Sequence, residues 1–249
     1  MNKFDYCFKI SDEREVALKL LGIYKDLAYK GIDKNKVFQE YVIIDNSAHL
    51  NDVAEDIKII HKQNEGKMQI ICEKLNEKWQ NYKDEYIEVL SKNLGIKFDM
   101  SKTKHTYCYL HLLPIDEINM KDNIICLNCN KSIEEHFKTF IIMITKAILL
   151  DRSDYINKFK FDDAYDYKNK IWMFAEIALD AIFKNSDLTK ICENPSYKYL
   201  YSLKIDGVNV MEQFRVLYTK ISLDDFFTSI YMFVHKNYQV LLKFKNYLY

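Results

Sequence analysis

A chain of 249 residues that is 49% apolar and 29% charged carries enough apolar side chain to bury a core, which excludes wholesale disorder. Lys plus Arg and Asp plus Glu number 36 each, so the formal net charge is zero and the basic surplus behind non-specific nucleic-acid binding is missing. Five Gly and two Pro leave too few turn residues for a many-stranded all-β fold and too few glycines for a dinucleotide-binding fingerprint.

Met1 to Tyr6 holds no apolar signal core, and charges follow it. The six cysteines (Cys7, Cys72, Cys108, Cys126, Cys129 and Cys192) are therefore expected as reduced thiols of a cytoplasmic protein, most of them buried as small hydrophobes. Ser11 to Glu15 opens a helix whose apolar stripe is Val16, Leu20, Ile23 and Leu27. Val37 to Ile44 is a short β-branched run, either a strand or a buried helical turn. Asn51 caps a second helix that buries Val53, Ile57 and Ile60. From Lys67 to Leu94, Met68, Cys72, Leu75, Trp79, Tyr82, Tyr86 and Val89 recur in steps of four and three, and Gly95 ends the run. Such a stripe suits a helix lying across its own domain, or a helix that pairs with a partner.

The texture then changes. Thr106 to Leu113 reads as a strand ended by Pro114, Asp116 to Asp122 as a polar connection, and Asn123 to Leu127 as another strand. Ser132 and Glu135 form a capping box ahead of a very apolar helix, Ile133 to Leu150. Its longest apolar stretch, Phe140 to Leu150, is shorter than the roughly twenty residues a bilayer demands, so no membrane is expected as a partner. Asp151 to Tyr167 reads as a loop with a helical turn. Ile171 to Phe183 is helical, Asn194-Pro195 interrupts the chain, and Lys204 to Gly207 is a turn. Val210 to Tyr218 is a short helix, and Ser222 to Asp225 caps a last one burying Phe226, Ile230, Phe233 and Val234. The expected fold is mainly α with a small β-sheet (α+β), a single compact domain over 1–249. Within it, a helical N-terminal lobe, 1–95, and an α+β core, 96–249, are the natural division.

Few side chains suggest chemistry. Cys126 and Cys129 have the spacing of a zinc ribbon or redox dithiol, but a ribbon needs a second such pair, and a redox dithiol belongs at a helix N-terminus. His136 is one available completion. His105, Cys108 and His111 lie three apart, which on a strand points them to alternate faces and prevents convergence on a metal. Glu176 and Asp180 share a helix face. Glu176 falls among Trp172, Met173, Phe174 and Ile177, where a carboxylate is costly to bury unpaired, so it is expected to emerge at the solvent edge. Tyr197, Tyr199 and Tyr201 read as packing rather than as a base-stacking platform.

Between Trp79 and Phe183, Leu112-Leu113-Pro114, Asn123-Ile124-Ile125-Cys126-Leu127, Thr139-Phe140-Ile141-Ile142 and Trp172-x-x-x-Glu176 follow one another along the chain. In this order the segment resembles bacterial zincin-like metallopeptidase domains, and the resemblance implies a zincin-like core. A zincin holds zinc with His-Glu-x-x-His on the helix that corresponds to Ile133–Leu150. Here Met143-Ile144-Thr145-Lys146-Ala147 stands in that place, so Met143 and Ala147 replace both histidines and Ile144 replaces the general base. Only Glu176 matches the third ligand. The resemblance thus implies a pseudoenzyme, with no cofactor and no catalytic residue, acting as a scaffold for an unknown protein partner. Two other readings stand beside it. One is an α-helical oligomerisation or partner-binding protein using Lys67–Leu94. The other is an enzyme whose site draws on Glu176, Asp180, His136 or the Cys126/Cys129 pair.

Overall fold

The computed structural model describes residues 5–29, 50–95, 105–111, 116–119, 124–152, 164–192 and 202–246. The expectations for Val37 to Ile44, Leu112 to Pro114, Asn194-Pro195, the tyrosines at 197, 199 and 201, and most of 151–167 lie outside the described residues. The fold is mainly helical with a small mixed sheet, an α+β organisation. The chain divides into two compact units: Met1–Lys83 with Asp99–Phe140, and Asp84–Phe98 with Ile141–Tyr249.

The first unit opens with strand β1 (Asp5–Ile10) and helix α1 (Glu13–Tyr29). Asp12 caps α1, its Oδ1 accepting the N–H groups of Arg14 at 2.9 Å and Glu15 at 3.2 Å, and Val16 and Leu20 are buried. Helix α2 (Leu50–Leu94) is followed by β2 (His105–His111), β3 (Glu117–Asn119) and β4 (Ile124–Asn128). The sheet order is β1-β2-β4-β3, with β1, β2 and β4 parallel and β3 antiparallel to β4.

Three expectations need correction. The stretch 1–95 is not purely helical, because β1 lies at its start and pairs with β2. Its pattern is a short alternation of Tyr6 and Phe8 with Cys7 and Lys9, and its partner strand lies far along the chain, beyond α1 and α2, so no local turn signal announces it. The polar connection 116–122 contains β3, an edge strand too short to show periodicity. Finally, the helices expected from Asn51 and from Lys67 are one 45-residue helix. Exposed Gly66 costs a helix only about 1 kcal/mol, and Ile57, His61 and Met68 keep one buried phase across it. At the other end Gly95, with φ of 60°, terminates α2 as its position predicts.

The two faces of the sheet differ in chemistry. One carries Tyr6, Phe8, Cys108, Leu110, Ile125 and Leu127, all buried. There Trp79 of α2 and Phe140 meet edge to face at 5.1 Å, and Tyr6 and Phe8 pack on Phe140 at 5.1 and 4.8 Å. The other face carries Lys9, Tyr109, His111, Cys126 and Asn128. Asn76 of α2 serves the free edge of the sheet: its Oδ1 accepts the Phe8 N–H at 2.9 Å and its Nδ2 donates to the Phe8 carbonyl at 3.2 Å. The α2 stripe Met68, Cys72, Leu75 and Trp79 is buried by the chain itself, so a partner of this helix would meet another of its faces.

Helix α3 (Ile133–Arg152) begins in the first unit and ends in the second. Its start is a complete capping box: Ser132 Oγ accepts the Glu135 N–H at 3.3 Å, and the Glu135 carboxylate accepts the Ser132 N–H at 3.0 Å. The second unit then adds α4 (Ala164–Lys184), the short α5 (Leu188–Ile191) and a hairpin of β5 (Lys204–Ile205) and β6 (Val208–Asn209). Helices α6 (Val210–Tyr218) and α7 (Leu223–Asn246) complete it. Positive φ at Asp206 and Gly207 gives the hairpin a primed turn, which matches strand twist. Helix α4 packs on both α6 and α7. Phe226, Ile230 and Val234 of α7 are buried, and Phe233 is half-buried. Among the described residues, no helix is long and apolar enough to cross a membrane.

Candidate functional site

Glu176 does not emerge at the solvent edge. Residues 173–183 of α4 are buried without interruption, and the Glu176 side chain is 1% exposed. What makes this tolerable is Lys146 of α3, whose Nζ donates to Glu176 Oε1 in a buried ion pair. Burial pushes the Glu176 carboxyl above its usual pKa, Lys146 opposes that, and neighbouring Asp180 adds to it. Among the described residues Oε2 has no hydrogen-bond partner. One turn on, Asp180 accepts from Arg215 of α6, at 2.7 Å from Nε and 3.1 Å from Nη2. Each acid on this face of α4 therefore meets a cation from a different helix. Met143, Lys146 and Ala147 lie along one side of α3, so Glu176 reaches that side through Lys146. Thr145 looks elsewhere, bonded to Tyr86 Oη at 3.0 Å.

The sequence did not single out Lys146 or Arg215 as partners. A signal for Lys146 existed: one lysine inside the apolar run 140–150 must find an acid or reach water. For Arg215 there was none, because contact between α4 and α6 is decided by tertiary packing.

Cys126, Cys129 and His136 belong to the first unit, and Glu176 and Asp180 to the second. All six cysteines are free thiols, and five are buried. The two of the C-x-x-C pair have different surroundings. Cys129 lies in the turn after β4, where burial raises its pKa and Lys67 opposes the rise. Cys126 lies on the polar face of the sheet, and Lys19 Nζ of α1 is 2.7 Å from its Sγ. His136 is fully buried at the start of α3, and burial lowers its pKa while Asp116 opposes the shift. His111 is buried on the polar face, its pKa lowered to about 4 by burial and by the charge of Lys19. Cys108 lies on the apolar face, as alternation requires, and the His105 side chain is outside the described residues. Among the described residues no three His, Cys, Asp or Glu side chains are grouped to hold a metal ion.

A cleft of about 630 Å³ opens at the carboxyl end of β1, beside the start of α1. Its lining includes Asp12, Glu13, Lys62, Glu65, Tyr109 and His61, whose Nδ1 lies 3.9 Å from the Glu13 carboxylate. Burial lowers the pKa of His61, and Glu13 opposes the shift. No known family, curated protein or solved structure matches this chain.

Proposed function

We propose that this chain is a non-catalytic scaffold with a zincin-like core, working by binding a protein partner. The observation that carries the reading is the Lys146–Glu176 pair. In the zincin resemblance Glu176 is the third metal ligand and Lys146 sits inside the segment that replaces His-Glu-x-x-His. A buried carboxylate needs a cation, and a lysine from that segment supplies it. The order of α2, β2, β4, α3 and α4 is also the order of elements in the resemblance. Met143, Ile144 and Ala147 offer neither imidazole nor general base, so metal-assisted hydrolysis has no residues to carry it here.

The test is a restoration. The variant Met143→His, Lys146→Ala, Ala147→His places two imidazoles one helical turn apart on the side of α3 that Glu176 reaches. Elemental analysis after purification in zinc is expected to find about one zinc per folded chain in this variant. A folded variant that takes up no zinc would overturn the zincin-like geometry. A wild-type chain that retains stoichiometric zinc, lost on Glu176→Gln, would overturn the non-catalytic reading.

A further inference from the structure

The polar face of the sheet holds a pair that the scaffold role does not use. Lys19 Nζ lies 2.7 Å from Cys126 Sγ. The lysine nitrogen is thus in direct contact with the cysteine sulfur. An ammonium this close favours the thiolate, which is the reactive form of cysteine. Cys126 is 3% exposed, so only a small oxidant could reach its sulfur. Its register partner on β2 is Tyr109, a residue of the cleft lining. Cys129, the other half of the C-x-x-C, has Lys67 rather than Lys19 as its cationic neighbour.

We propose that Cys126 and Lys19 form a peroxide-responsive modification site that closes as a covalent sulfur–nitrogen link between β4 and α1. The Cys126 thiolate attacks hydrogen peroxide; an S–O bond forms, the O–O bond breaks, and the departing hydroxide takes a proton from the Lys19 ammonium to become water. Sulfur is oxidised by two electrons and peroxide is reduced. The now neutral Lys19 amine attacks the sulfenic sulfur; an S–N bond forms, the S–O bond breaks, and hydroxide leaves with a proton from nitrogen as a second water. Cysteine sulfenic acids condense with a backbone nitrogen by the same exchange, and the nitrogen in contact with Cys126 Sγ is that of Lys19. Two equivalents of an external thiol reverse the link, restoring thiol and amine and leaving a disulfide of the reductant. Lysine thus acts twice, first as proton donor and then as nucleophile.

The test treats the purified full chain with hydrogen peroxide and maps the digested peptides by mass spectrometry. The expected product is a peptide containing Lys19 joined to one containing Cys126, about two mass units below their sum, uncleaved by trypsin at Lys19 and separated again by dithiothreitol. Lys19→Arg keeps the cation but not the nucleophilic amine; it should give no link and leave Cys126 trapped by dimedone or further oxidised. An unmodified Cys126 beside oxidised Cys7, a Cys126–Cys129 disulfide, or the same link in the Lys19→Arg variant would each overturn the proposal.

Discussion

Lys146 and Glu176 neutralise each other where neither is well solvated: the lysine side chain is 14% exposed and the glutamate 1%. Taken singly, each would be a buried charge without a counter-ion. Lys146→Met is expected to destabilise the fold by about 3–5 kcal/mol, because it strands the Glu176 carboxylate. Adding Glu176→Leu should recover most of that loss, since an apolar pair of similar volume removes both desolvation costs. Urea denaturation of wild type, single and double variants measures the three values. A double variant as unstable as the single one would mean that the pair matters for something other than mutual neutralisation.

Asn76 holds the main chain of Phe8 with both ends of its carboxamide. Asn76→Ala leaves a strand-edge donor and acceptor unserved and should cost about 1–3 kcal/mol. Asn76→Asp keeps the acceptor for the Phe8 N–H but sets a carboxylate against the Phe8 carbonyl, so it should recover little of the loss. Hydrogen exchange at the Phe8 amide gives a local readout alongside chemical denaturation, and protection unchanged in Asn76→Ala would show that the edge is satisfied without this side chain.

His111 links stability to pH. Its pKa falls from 6.5 to about 4, through burial first and Lys19 second. The unfolded chain takes up this proton near 6.5, whereas the folded chain does so only near 4. The associated stability is therefore whole above pH 6.5 and is lost as pH falls toward about 4, in total about 3 kcal/mol. Comparing urea midpoints at about pH 7.5 and about pH 4.5, His111→Gln should show a smaller drop than wild type. Equal drops in the two proteins would assign the acid sensitivity to other groups.

Ser132 starts α3 through its capping box with Glu135. Ser132→Ala should cost about 1 kcal/mol, and Ser132→Asp should recover part of it, since an aspartate also accepts an N–H at a helix start. The same comparison at Ser222, which caps α7 with Asp225, should behave alike. A thermal melt of each variant resolves the difference.

Local chemistry was legible wherever the chain meets itself within a turn or two of helix. The Ser132 and Ser222 caps, the Gly95 terminus and much of the buried stripes of α2 and α7 rest on interactions between near neighbours, so spacing alone announces them; of the expected Lys204–Gly207 turn, Asp206-Gly207 is the turn and Lys204–Ile205 is strand β5. The alternation of β2 likewise placed Cys108 and His111 on opposite faces. Strand β1 escaped because a six-residue strand is stabilised by its partner β2 and by Asn76, both far along the chain. Gly66 escaped as a non-break because packing of α2 outweighs one residue's propensity.

Among the candidate residues, the sequence by itself determined which groups are chemically capable: it set Glu176 in an apolar helix, placed Met143, Ile144 and Ala147 where a zincin would need His, Glu and His, and spaced Cys126 from Cys129. Only the tertiary structure decided their partners. Charge must be neutralised locally in a poorly polarisable interior, and which cation lies nearest depends on how helices and strands pack. That packing gave Glu176 to Lys146, Asp180 to Arg215 and Cys126 to Lys19.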